Sequence, residues 1–439
     1  MSVSASTSAN PGRPELHART VPLEYGPDAL QFDGSPTVLF DRPGLTLVGW
    51  GTAVLVEAAE AAAVLAAIPC DDAVQRTGTG VVALGALPFD AALSGHLIVP
   101  RFSMGIARDA DGETHRWATA VGPADLPLPD TGELFDSVIW QYGTATNGHP
   151  PADVDVTDLT TPLTSAGYRA MVARAVATMN EPGAQLGKVV LSRPVTATLS
   201  GPLPLSTVLR RMRAHEPNCT IFSLPVPDGT FFGATPELLL ARHGRRISCH
   251  PLAGTVARGD TARADADAQG RLAASGKDQA EHRYVVDDIT SVLRPFCDSL
   301  TVPDGPSLVA FRSVAHLGTR IEGQLSNPVS VLDLLARVHP TPAVGGVPRD
   351  LALATIAASE PGPRDYWAGP VGWVDATGDG EWMIGIRSAC LHSDGTTVTL
   401  HAGAGVVAGS DPNAEMAETD VKLATVLDSL VPGGSAHLR

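Results

Sequence analysis

Apolar residues recur along this chain at two spacings, one of two positions and one of three to four, and the changes of spacing divide it into elements. Short apolar runs at 37–40 and 45–51, broken by the turn signal Arg42-Pro43-Gly44, predict a pair of strands. An Ala-rich helix at 56–67 and strands at 81–89 and 96–102 follow. Between 107 and 163 Asp, Gly, Pro and Thr dominate without a sustained period, which predicts connecting loops. Helical spacing returns from Tyr168 to Met179 and is stopped by Glu181-Pro182-Gly183. The run from Lys188 to Pro194 predicts a strand, and 205–214 a helix. Strands at 220–225 and 230–233 close around Pro227-Asp228-Gly229, and those at 238–242 and 246–251 around His243-Gly244. Residues 262–274 are polar and Ala/Asp-rich, a solvated helix or loop. Helices are expected at 277–293, 328–338 and 349–360, and strands at 309–314, 316–322, 371–375, 381–391 and 396–401.

Strands and helices do not alternate as a parallel doubly wound sheet requires. Neighbouring strands joined by tight turns predict an α+β fold, with large antiparallel sheets covered by helices. Val48-Gly49-Trp50 and Val371-Gly372-Trp373 echo one another and hint at duplicated halves. Residues 1–35, rich in Ser, Pro and Gly, are expected to form a flexible tail. Residues 36–163 are read as the N-terminal portion, and 164–435 as the catalytic portion, of one unit.

Composition narrows the partners. A net charge of −16 without a basic patch disfavours nucleic acid, yet a few local cations or a metal can still receive a small anion. Apolar content of 44% suffices for a core. No run is long and apolar enough for a membrane span, and the first residues lack the apolar middle of a signal peptide. Five scattered cysteines without metal spacing read as reduced thiols, which with the missing leader predicts a cytoplasmic protein.

Chemistry concentrates in Ala402 to Lys422. A glycine run (Gly403, Gly405, Gly409) follows the 397–401 strand as a turn-rich segment, and Ser410-Asp411-Pro412 starts a helix. Glu415, Glu418 and Lys422 share one face of that helix. Two carboxylates one turn apart beside glycine-exposed N–H groups could hold a divalent metal and an anion; a solvated acidic face is the plainer alternative. Glu281 shares a helical face with Val285, so it points inward and needs a partner, which a metal shared with Glu418 would supply. His282 beside it reads as a packing or hydrogen-bonding histidine. Lys188 is either an edge-strand gatekeeper or, with its stem buried, a usable base. Glu237 is either a surface helix-start carboxylate or, in an apolar site, a general acid. Arg387, at the end of a strand, suits a substrate carboxylate.

Several motifs occur in one order: KVVLSR (188–193), FFGATPELL (231–239), PLAGT (251–255), KDQAEH (277–282), HPTPAVGGVP (339–348), YWAGPVGW (366–373), IGIRSA (384–389) and the stretch from Ala402 to Lys422. Together they resemble the chorismate-utilising enzymes, strongly over about residues 165–430 and more loosely before. The resemblance implies two antiparallel sheets packed face to face under outer helices, chorismate as substrate, and Mg²⁺. It implies Glu281 and Glu418 as metal ligands, with Glu415 assisting through water. Arg387, Tyr366 and the backbone from Gly403 through Ala404 to Gly405 would hold the enolpyruvyl carboxylate, with Lys422 nearby and Thr255 and His316 lining the pocket. Lys188 matches the family's water-activating base and Glu237 its acid. Lys188 argues against ammonia as nucleophile, and no glutaminase subunit is expected. Ala253 stands where aminodeoxychorismate synthases carry a lysine. HPTPAVGGVP and Ile386 resemble the isochorismate synthases, whereas Tyr366 also suits salicylate synthases, which go on to eliminate pyruvate. The family also suggests a monomer.

Overall fold

The computed structural model describes residues 15–26, 36–90, 94–109, 111–128, 130, 133 and 154–438. Its centre is a pair of antiparallel sheets. In the first, hydrogen-bonded neighbours run Leu16–Pro22, Thr114–Pro123, His96–Arg108, Leu45–Glu57, Val38–Arg42, Thr220–Val226, Gly229–Thr235, Ser388–His392, Thr397–Val407, Lys188–Leu199 and Val156–Thr160. In the second they run Val82–Ala86, Pro370–Asp375, Gly380–Ile384, Leu238–His243, Arg246–His250, Ile321–Leu325 and Cys297–Thr301. One pairing, Leu84 with Ile98, joins the two. A small third sheet holds Leu252–Ala257, Val314–Gly318 and Ser307–Ala310.

The sheets face each other across Phe40, Leu47, Phe222 and Phe231 of the first and Leu84, Val371, Trp373 and Met383 of the second, which form one buried cluster. Helices cover the outer faces. Those described are α1 (Ala61–Ala66), α2 (Ser165–Met179), α3 (Leu205–His215), α4 (Ala262–Ala274), α5 (Gly276–Leu293), α6 (Val331–Val338), α7 (Arg349–Ser359) and α8 (Pro412–Leu430). Val208, Leu209 and Met212 of α3 and Leu423, Val426 and Leu427 of α8 pack on Val195, Ala197 and Leu400 of the first sheet. Val285 and Ile289 of α5 and Leu332, Leu335 and Val338 of α6 share a core with Leu240, Ile247 and Trp382 of the second. This is the face-to-face α+β arrangement the resemblance implied. No helix among the described residues is long and apolar enough to cross a membrane.

Three expectations are corrected. The stretch read as loops, 107–163, contributes the strands Thr114–Pro123 and Val156–Thr160. Its period was masked because a polar residue points inward: Thr119 is buried and bonds Thr20 hydroxyl to hydroxyl at 2.8 Å. Within the expected tail, Leu16–Pro22 pairs along its whole length with Thr114–Pro123; residues 1–14 and 27–35 lie outside the described residues. Finally, the strand expected to stop at His401 continues to Val407, in register with Lys188–Leu199 from Thr397↔Thr198 to Val407↔Lys188. The glycines Gly403 and Gly405 are therefore strand residues. The turn begins after them, and Asp411 caps α8 by accepting from the N–H groups of Asn413 and Ala414 at 3.0 and 2.9 Å.

Candidate active site

Lys188–Leu199 is an interior strand. At its start Lys188 pairs with Val347 on one side and Val407 on the other, and its side chain is wholly buried. The gatekeeper reading therefore falls. The Nζ lies 3.0 Å from Glu281 Oε1, a close charge contact that lacks hydrogen-bond geometry. Glu281 arrives from α5, where Ser275 caps the first turn and Glu281, Val285 and Ile289 form the buried stripe. Gly405 of the neighbouring strand makes room for both. A Cβ there would stand 2.1 Å from Glu281 Oε1 and 3.1 Å from Lys188 Cε. His282, next on α5, bonds Thr319 at 2.7 Å; burial first, then the Lys188 charge, push its pKa down to about 4.

A cavity of about 680 Å³ opens beside this pair. Its wall includes Glu237, Glu281, Glu418, Lys422, Arg387, Thr255, His316, Gly403 and Gly405, and no wall residue is exposed. Glu237 sits between the Gly229–Thr235 and Leu238–His243 strands. Among the described residues its carboxyl accepts one hydrogen bond, from the Leu252 N–H at 3.3 Å. Burial pushes its pKa up to about 7, against the opposing influence of that N–H and of Lys188, Lys422 and Arg387. The carboxyl thus keeps its proton to near neutrality.

Arg387 joins two strands at φ +51°, a left-handed conformation that bulky residues rarely adopt. Its Nη2 lies 3.3 Å from His316 Nε2, while His316 Nδ1 lies 3.2 Å from the Gly254 carbonyl and 3.1 Å from Thr255 Oγ1. A carbonyl only accepts, so Nδ1 carries the proton and Nε2 accepts from the guanidinium. Burial and the Arg387 and Lys422 charges hold His316 well below the usual imidazole range, hence neutral.

On α8, Glu418 accepts from Lys422 Nζ at 2.7 Å, and the same amine donates to the Gly403 carbonyl at 2.7 Å. Glu415 is buried and accepts from Lys277 Nζ at 2.6 Å. Each of the three glutamates therefore has a lysine of its own. Among the described residues, the cluster of acids and histidine whose ligand atoms fall within 4.8 Å of one another is Asp109, Glu113 and His115, on an exposed hairpin where Arg76 already holds Asp109.

Four of the residues assigned from the sequence do not line this cavity. Tyr366 is outside this cavity: it lines a neighbouring one with Asp228 and Phe231. Trp367 lines both and stacks on His401 at 5.5 Å, so the cavity's aromatic wall is Trp367 and His401. Ala404 is not in the cavity wall, to which this strand contributes His401, Ala402, Gly403 and Gly405. Glu415 opens onto an adjoining cavity with Lys277, and Glu418 lines both. Lys188 is screened from the cavity by Glu281 and Gly405.

One network went unforeseen. Buried Arg364 pairs with Glu360, donates to the carbonyls of Val344 and Val190 at 2.7 Å each, and lies 5.1 Å from the Trp367 ring. Glu360 in turn accepts from the Ser192 N–H at 2.7 Å. Val344, Val190 and Trp367 all line the cavity, so one ion pair sets three of its walls. An acid and a base four apart around Pro361 and Pro363 was the only sequence trace of it.

The profile of the family described as chorismate binding enzyme matches residues 58–431. A Mycobacterium tuberculosis protein provisionally named isochorismate synthase MenF is 37% identical over 363 residues, covering 81% of this chain and 88% of its own. Isochorismate synthase EntC of Escherichia coli is 41% identical over 262 residues, 60% of this chain and 66% of its own. Among solved structures, MenF, the menaquinone-specific isochorismate synthase of Escherichia coli, superposes with a TM-score of 0.80 at 26% identity, covering 95% of each chain. Anthranilate synthase component I of Streptococcus pneumoniae shares the fold, with a TM-score of 0.69 at 20% identity over 97% of this chain and 95% of its own.

Proposed function

The chain belongs to the family of chorismate binding enzymes, and within it we propose that it is an isochorismate synthase, moving oxygen from ring C4 of chorismate to C2. The reaction asks two things of the protein. Water must lose a proton as it attacks C2, and the C4 hydroxyl must gain one as it leaves. The observation that carries the proposal is Glu237, a cavity-lining carboxyl that burial keeps protonated to about pH 7. It is the general acid. Lys188 is the base: its amine is held behind Gly405 and beside Glu281, and it takes the water's proton when in its neutral form. Arg387, fixed by His316, and Lys422, fixed by the Gly403 carbonyl, both line the cavity and give a dianionic substrate two cations.

The donor set suits Mg²⁺. It consists of hard carboxylate oxygens, and Gly405 leaves a cradle around the Glu281 oxygen that a Cβ would fill. Glu281 and Glu418, which both line the cavity, would hold the ion. Bound there it would fix the substrate's ring carboxylate and draw charge out of the conjugated ring. Two residues separate this reading from pyruvate elimination. Tyr366, which leans toward a salicylate synthase, lies outside the cavity, whereas Ile386, which leans toward isochorismate synthase, lines it.

Incubating the purified chain with chorismate and Mg²⁺ and resolving the products by liquid chromatography tests the proposal. Isochorismate should accumulate without pyruvate. Pyruvate with salicylate fluorescence, and no lyase added, would contradict it.

A further inference from the structure

Two cavities meet at the acidic helix. The first, described above, is walled by Glu281 and Glu418; the second, of about 730 Å³, by Glu415, Glu418, Lys277, Asp278 and Thr255. Glu418 belongs to both, Glu281 only to the first and Glu415 only to the second. Glu415 is 1% exposed and fixed where it stands: Lys277 Nζ lies 2.6 Å from Oε1. Lys277 itself opens α5, one turn before Glu281, and its side chain is one-third exposed.

We infer that Lys277 is a positioning residue that selects the ligand set of the metal site, by holding Glu415 in the second cavity and leaving Glu281 and Glu418 as its direct carboxylate ligands. The inference rests on the Mg²⁺ reading above. Its physical basis is charge. A third carboxylate would over-neutralise the ion and tighten its grip, because affinity at hard-cation sites rises with ligand charge count. An ion holding two protein carboxylates is formally neutral where three would leave it anionic, and it keeps open positions for the carboxylate of a substrate. Lys277 meets that need by giving Glu415 a partner that a buried carboxylate otherwise lacks.

Mg²⁺ binding, measured by isothermal titration calorimetry without substrate, tests this in wild type, Glu415→Gln, Glu418→Gln, Lys277→Met, Lys277→Arg and the Lys277→Met/Glu415→Gln double variant. Glu418→Gln should weaken Mg²⁺ binding at least about tenfold, and Glu415→Gln less than about threefold. Lys277→Met should tighten it about tenfold by releasing Glu415 to the metal, while Lys277→Arg stays near wild type. The double variant should lose that gain. Equal losses in Glu415→Gln and Glu418→Gln would overturn the inference, since Glu415 would then already be a ligand. A gain retained in the double variant would also overturn it, because the lysine's charge alone would explain the effect. A wild-type chain that binds no Mg²⁺ would remove the metal reading itself, and this inference with it.

Discussion

Glu237 and Glu281 border the same cavity, both are buried, and both are the same amino acid, yet they are prepared for different work. Glu281 has a lysine 3.0 Å away, and Glu415 and Glu418 of α8 are likewise each matched by an amine. Glu237 has no ion pair among the described residues, only the Leu252 N–H and the more distant fields of Lys188, Lys422 and Arg387. Burial keeps the unpaired Glu237 protonated to near neutrality, whereas each glutamate at the paired end has an amine within contact distance. Glu237 and Glu281 differ in their surroundings, not in residue type: a cation stands within contact distance of Glu281 and none does of Glu237.

The comparison breaks most severely if the unpaired end loses its proton donor. Glu237→Gln should lower kcat by roughly 10²–10⁴ while Mg²⁺ and chorismate still bind; kcat and calorimetric affinities measured together check this. Next comes the cradle. Gly405→Ala sets a methyl 2.1 Å from the Glu281 oxygen, and displacing that carboxylate by about 1 Å should cost on the order of 10² in kcat/KM and weaken Mg²⁺ binding. A variant with wild-type metal affinity would show that the close approach has no function.

Glu281→Gln should cost about 3–5 kcal/mol, read by chemical denaturation, because it leaves the buried Lys188 amine uncompensated. The unpaired end should behave in the opposite way. Glu237 keeps its proton in the folded chain up to about pH 7, but loses it at the ordinary 4.5 when unfolded. Unfolding therefore releases a proton between these values, and stability falls as pH rises through that window. Glu237→Gln removes the penalty, so its Tm relative to wild type should be higher at pH 8 than at pH 4. The smallest effect belongs to Tyr366→Phe, which should change kcat/KM less than about twofold, whereas Trp367→Ala, on the cavity wall, should exceed tenfold.

Parts of this arrangement were legible in the residue pattern. The spacing of Glu281 and Val285 placed that carboxylate inward, and Asp411-Pro412 marked the start of α8. Bringing Glu237, Glu281 and Glu418 to one cavity needed the family resemblance, because periodicity carries no information about contacts across long stretches of chain. Glu281 was expected to find its partner in a metal; the structure gives it Lys188, whose burial between two strands depends on pairings a single strand does not reveal. The glycine run misled because a glycine in a strand, present for the close approach of a side chain, looks locally like a glycine in a turn. Tyr366 and Trp367 are adjacent, and only the backbone decides which one faces the cavity; Asp365 and Ala368 on either side adopt positive φ, so no regular alternation could assign it.

The contrast between the two ends rests on the protonation of one carboxyl. ¹³C NMR titration of the chain labelled at glutamate Cδ, with the Glu237 signal assigned by its loss in Glu237→Gln, measures it directly. A midpoint near 7 is expected. A midpoint near the ordinary 4.5 would mean that Glu237 is ionised at neutral pH and is not the acid of this site.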